Sequence, residues 1–116
     1  MGAPILQWQF VANKPDDVAA FYKKLFGWTV TSANAMGYRQ VDTGSGGPNG
    51  GIWPAPPEAN AFVQLFIGVP NVEQSVADAL ALGATVVVPA TTLPDGDTMA
   101  VLRDPTGMTF GLMRHR

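Results

Sequence analysis

The chain has 116 residues with nine acidic and seven basic side chains, a formal net charge of −2 and no cysteine. That length supports one domain able to bury a core without staples, and the missing thiols exclude disulfides, thiolate metal sites and cysteine nucleophiles. Sparse, mixed charge provides no basic face for nucleic acid, and no apolar run approaches the roughly 20 residues that span a bilayer.

Residues 5–12 alternate large apolar side chains (Leu6, Trp8, Phe10) with Gln7, Gln9 and Val11, the period of a strand with one apolar and one mixed face. Asn13 to Asp17 reads as a turn into a helix whose acidic first turn suits the macrodipole. Val18, Phe21, Tyr22, Leu25 and Phe26 form its apolar stripe, and Gly27 its left-handed cap. Residues 28–31 and 37–43 are predicted strands joined by a turn. The glycine-rich loop 44–51 leads to a short strand around Ile52 and Trp53, which Pro54, Pro56 and Pro57 end. The loop lacks the Lys-Ser/Thr ending of a phosphate-binding loop and does not enter a helix, so it reads as a flexible rim.

A second pass begins near Asn60. Residues 62–69 form a strand, and Pro70 or Asn71 opens a helix with Val72, Val76, Ala79, Leu80 and Leu82 on its apolar face. Strands are predicted over 85–88, 97–103 and 108–113, with turns at 93–97 and 104–107. The aspartate of Asp104-Pro105-Thr106-Gly107 reads as a bonder of turn amides rather than an acid–base group. The plan of 5–30 thus recurs in 62–88, with Gln7 and Gln64 at matching places. Each half is β-α-β-β-β and would leave a sheet face bare alone. The expectation is an α+β fold in one domain, 1–116, with modules at about 5–54 and 60–113. The two modules are expected to form a curled eight-stranded mixed sheet with helices outside and a groove inside.

Phe21-Tyr22-x-x-Leu25-Phe26-Gly27-Trp28, then Leu82-Gly83-Ala84, then Asp104-Pro105-Thr106-Gly107-Met108-x-Phe110 together resemble the vicinal oxygen chelate superfamily. This superfamily includes glyoxalase I, bleomycin-resistance proteins, fosfomycin-resistance enzymes and extradiol dioxygenases, and the resemblance covers nearly the whole chain. It implies paired β-α-β-β-β modules, often with pockets completed by dimerisation. It also implies metal ligands on the first and last strand of each module, which fall here on Gln7, Gly51, Gln64 and Gly111. Two neutral amides and two glycines offer a divalent ion too little to offset its dehydration, and the single histidine, His115, stands in the terminal tail. No metal and no other cofactor is expected.

Parity counted from Gln7 and Gln64 puts Gln9, Tyr38, Gln40, Trp53, Phe66 and Met99 on the groove face, and Trp8, Phe10, Leu65 and Ile67 against the helices. Trp28 and Phe21 read as packing residues. Asp42 and Glu58 are the acidic groups nearest the groove, and no Ser-His-Asp or paired-carboxylate set is present. Gly51 and Gly111 suggest a groove emptied of side chains, whereas Phe66, Met99 and Met113 suggest one that is filled. The leading expectation is a metal-independent pocket for a small organic molecule, metabolite or antibiotic, in a homodimer. The alternatives are a metal-dependent lyase or isomerase of the glyoxalase I type and a non-catalytic regulatory or scaffolding module. The start MGAPILQWQF lacks the basic and apolar runs of a secretory leader, so the cytoplasm is expected. The groove residues alone do not name a ligand.

Overall fold

The computed structural model describes residues 2–115. In chain order the elements are β1 (Ile5–Ala12), α1 (Pro15–Phe26), β2 (Thr29–Val30), β3 (Arg39–Asp42), β4 (Gly50–Pro54), β5 (Phe62–Val69), α2 (Val72–Ala81), β6 (Thr85–Thr92), β7 (Thr98–Arg103) and β8 (Thr109–Arg114). Eight strands and two helices in two β-α-β-β-β passes make the expected α+β fold. The chain divides into two compact units, one of residues 7–64 and one of Leu65 onward together with the N-terminal stretch through Leu6. The division runs through β1 and β5, so neither unit coincides with a module cut at the proline linker.

In the unit 7–64 the strands lie in the order β2-β3-β4-β1. β1 and β4 run parallel, with Gln9 beside Gly51 and Ala12 beside Pro54, while β3 and β4 are antiparallel, with Gln40 opposite Gly51. Helix α1 starts at Pro15, whose absent N–H falls where no helical bond is due. Asp16 and Asp17 stand at its positive end, Lys23 and Lys24 at its negative end. Gly27 closes it at φ 73° and donates its N–H to the Lys23 carbonyl at 2.9 Å. Ala19, Val41 and Ile52 are buried there with Trp8, Phe10, Val18, Trp28 and Val30 packed on them. The even-numbered side chains of β1 therefore face the helix, and Gln7 and Gln9 face the opposite side.

The other unit has the strand order β5-β8-β7-β6, with Phe66 beside Gly111 in the parallel β5–β8 pair. Asn71 caps α2, its Oδ1 accepting the Gln74 N–H at 3.0 Å. Val72, Val69, Ala100, Leu102 and Leu112 are buried on the helix side with Ile67, Val76 and Ala79. Phe66, Met99 and Val101 form a separate cluster with Leu93 and Met113.

Several sequence expectations are corrected. β6 continues past residue 88, through Pro89, to Thr92. It is the last strand of its row, so the missing proline N–H costs no ladder bond, and register shifts flank Val88. Pro54, by contrast, is the last residue of β4, where it stands beside Ala12 of β1. The strand predicted over 28–31 is only Thr29–Val30. The helix stripes bury fewer residues than predicted: Phe21 is 58% and Leu82 81% exposed, and Leu25, Phe26 and Leu80 are exposed as well, as is Leu65 of β5, which parity sets against a helix. A short helix on a four-stranded row covers it with one line of side chains, here Val18, Ala19 and Tyr22 in α1. The outer flank of the stripe stays in water.

Candidate functional site

Among the described residues two polar side chains are buried, one of them on the odd-numbered face of β1. Gln9 is 2% exposed and Gln64, at the start of β5, is 6% exposed; both lie in the unit 7–64. The Oε1 atom of each is buried without a hydrogen-bond partner. A buried carbonyl left in this state costs on the order of 1–3 kcal/mol, so each is a place where a donor would be stabilised.

Gly51 explains how Gln9 meets its one partner. The register puts Gln9, Gly51 and Gln40 in one row across β1, β4 and β3. Tyr38 stands one step further along, and its ring lies over Gly51, where a Cβ would overlap the phenol hydroxyl and ring carbons. Having no side chain, residue 51 lets the phenol cross β4 and reach Gln9, whose side-chain amide hydrogen-bonds it. Burial raises the Tyr38 phenol above its ordinary pKa, and the Gln9 hydrogen bond, which stabilises the phenolate, acts against that rise. The ring also packs on Trp53, with centroids 4.7 Å apart and planes tilted by 42°. Asn34 fixes the tyrosine backbone through both its side chain and its main chain: the Tyr38 N–H donates to Asn34 Oδ1 at 3.0 Å, and the Tyr38 carbonyl accepts the Asn34 N–H at 3.0 Å.

The structure thus brings Gln9, Tyr38 and Trp53 together around Gly51, with Gln64 buried in the same unit. Gln7 is half-buried on β1, and Gln40 is exposed, its N–H taken by the Thr31 hydroxyl at 3.0 Å. Asp42 spends a carboxylate oxygen on the Gly44 N–H at 2.8 Å, and Glu58 is exposed. Asp104 accepts from Thr106 and from the Met108 N–H, which holds its carboxyl below the ordinary value. In the other unit Phe66 and Met99 are buried with Val101, and the Phe66 ring occupies the space a Cβ on Gly111 would take. The inference from Gly51 and Gly111 to an emptied groove is therefore corrected, because an aromatic ring fills each place, Tyr38 from the residue before β3 and Phe66 from β5. Gly51 signals this in sequence only once its pairing with Gln40 is known, since that pairing sets Tyr38 diagonal to it.

A glyoxalase-like domain model matches residues 8–113. The chain belongs to this family, within the vicinal oxygen chelate superfamily. It is 28% identical over 109 residues to CFP32, a protein of Mycobacterium bovis named provisionally as a glyoxylase, and to its Mycobacterium tuberculosis counterpart. The match takes in 91% of this chain and 42% of each relative, so the chain spans less than half their length. Among solved structures, the hypothetical protein BH1468 of Bacillus halodurans superposes with a TM-score of 0.71 at 12% identity, over 100% of this chain and 96% of that one. Methylmalonyl-CoA epimerase of Streptomyces coelicolor, bound to 2-nitronate-propionyl-CoA, gives 0.68 at 18%, over 97% and 98%. At such identities these two matches establish the fold alone.

The superfamily's metal would fall, by the resemblance, on Gln7, Gly51, Gln64 and Gly111. Gln7 and Gln64 are neutral amides, and the space above Gly51 and Gly111 holds the rings of Tyr38 and Phe66. Among the described residues no three His, Cys, Asp or Glu side chains group as a metal site. This donor set does not fit a divalent ion, which needs charged or imidazole ligands to replace its water.

Proposed function

We propose that this domain is a metal-independent binder of a small organic molecule, held on the sheet face that carries Gln9 and Gln64. The observation behind the reading is the pair of buried, unpartnered amide oxygens in one unit, one of them, on Gln9, next to an aromatic pair that can stack on a flat ligand. Such acceptors favour a ligand bearing N–H or O–H donors. They do not suit the phosphates of an acyl-CoA like that bound by the epimerase: the net charge is −2, and Arg39, the one arginine of β3, is bridged to Asp16 at 2.8 Å. Binding without turnover fits the spent carboxylates of Asp42 and Asp104. A cytoplasmic homodimer completes the proposal, with the exposed Phe21, Leu25 and Phe26 of α1 as apolar surface for a second copy.

A thermal-shift screen against metabolites, antibiotics, an acyl-CoA and divalent metals tests it. An organic ligand at a hundred times its dissociation constant adds about 2.7 kcal/mol, which raises the midpoint by roughly 10 °C in a domain this size. A hit that persists in EDTA supports the reading. A shift with nickel, zinc or manganese that EDTA reverses overturns it.

A further inference from the structure

We infer that the Tyr38 ring is a displaceable occupant of the ligand slot. Its ligand is then a small aromatic or heteroaromatic molecule bearing a hydroxyl or N–H donor. The inference rests on the binding role proposed above and narrows its ligand class.

The slot has a floor, a wall and a polar end. Gly51 is the floor, since the ring lies where its side chain would be. Trp53 is the wall, 4.7 Å from the phenol ring centroid. The Gln9 amide is the end, bonded to the phenol oxygen. A planar ring with a hydroxyl at its tip already fits this space, so the chain itself reports the shape and chemistry the space accepts.

Two features make the occupant removable. The backbone of Tyr38 is held through Asn34 in the connection between β2 and β3, outside either strand, so its side chain can rotate while the main chain stays put. The ring is only half-buried, unlike Phe66 over Gly111. One feature makes exchange favourable. With Tyr38 in place the Oε1 atom of Gln9 has no donor. A free ligand is not tethered at Cα and can turn its donor group to a carbonyl that the Tyr38 hydroxyl leaves unfed, so the site binds a molecule resembling its own plug.

Labelling with 3-fluorotyrosine reads the exchange directly, because the chain has only two tyrosines, Tyr22 and Tyr38. Tyr38→Phe assigns the signals, and p-cresol, indole and toluene serve as probes. Saturating p-cresol shifts the Tyr38 fluorine resonance and leaves that of Tyr22, packed between Phe10 and Trp28, in place. Tyr38→Ala binds p-cresol at least about tenfold more tightly than the wild type, as removal of a plug seated about nine-tenths of the time or more requires. Toluene, matched in shape without the hydroxyl, binds that variant more weakly than p-cresol. A still Tyr38 resonance, with p-cresol affinity equal in both proteins, overturns the inference. If a screened organic molecule binds the wild type and Tyr38→Ala equally and leaves the resonance still, the plug falls while the binding role stands. If nothing organic binds the wild type and p-cresol does not bind Tyr38→Ala, both fall. Should Tyr38→Ala fail to fold, the wild-type fluorine titration decides alone.

Discussion

The two units solve the same local problem with different chemistry. Each has a glycine on the last strand of the pass beside β1 or β5, and each lays an aromatic ring over it. Over Gly111 the ring is Phe66, 1% exposed among Met99, Val101, Leu93 and Met113. Over Gly51 it is Tyr38, half in water and bonded to a buried amide. The first arrangement is finished core. The second leaves polar capacity unspent, and unspent polar capacity is what a binding site needs.

The largest effect that sharpens this contrast is truncation of the rings. Phe66→Ala should cost about 3–5 kcal/mol by cavity formation, against roughly half as much for Tyr38→Ala, as read by urea denaturation. Equal losses would make Tyr38 core after all. Next come the glycines. Gly111→Ala must displace a ring with no free volume around it, at about 1–3 kcal/mol. Gly51→Ala meets the far end of a half-exposed side chain and should fall below that range. Removing polarity works in the other direction: Gln64→Leu deletes an unpartnered buried carbonyl and should leave thermal stability unchanged or raised by up to about 1 kcal/mol, while weakening any ligand.

The smallest effect is in pH. The Tyr38 phenol is raised in the folded state, so its contribution is complete below the unfolded value near 10 and declines as pH rises through the folded value. Tyr38→Phe should therefore flatten the alkaline limb of a stability–pH profile, and Tyr22→Phe should not. A profile unchanged by Tyr38→Phe would place the phenol in water.

The sequence shows some of this plainly and some not at all. The bounds of β1 follow from period-two alternation over eight residues and those of β5 from an apolar run closed by Pro70, and the cap at Gly27 from the residue type. β6 does not follow, since a proline breaks a strand unless the strand is known to lie at an edge. Phe21, Leu25, Leu80 and Leu82 mislead for a related reason: helical spacing gives a stripe but not the width of the surface that will cover it. The candidate site lies between these cases. Parity selects Gln9, Tyr38 and Trp53, yet a glycine in a sequence says only that its own side chain is missing. That Tyr38 crosses β4 above Gly51 is a fact of strand pairing, which single-residue patterns do not encode.

The division of β1 and β5 between the units has a consequence for dissection. A cut at the Pro56–Pro57 linker would part residues 2–6 from the unit built on 65–115, and Gln64 from the unit that holds Gln9. Neither fragment would contain a whole unit. Half-length pieces of this chain should therefore be poor folders singly but capable of reconstitution when mixed.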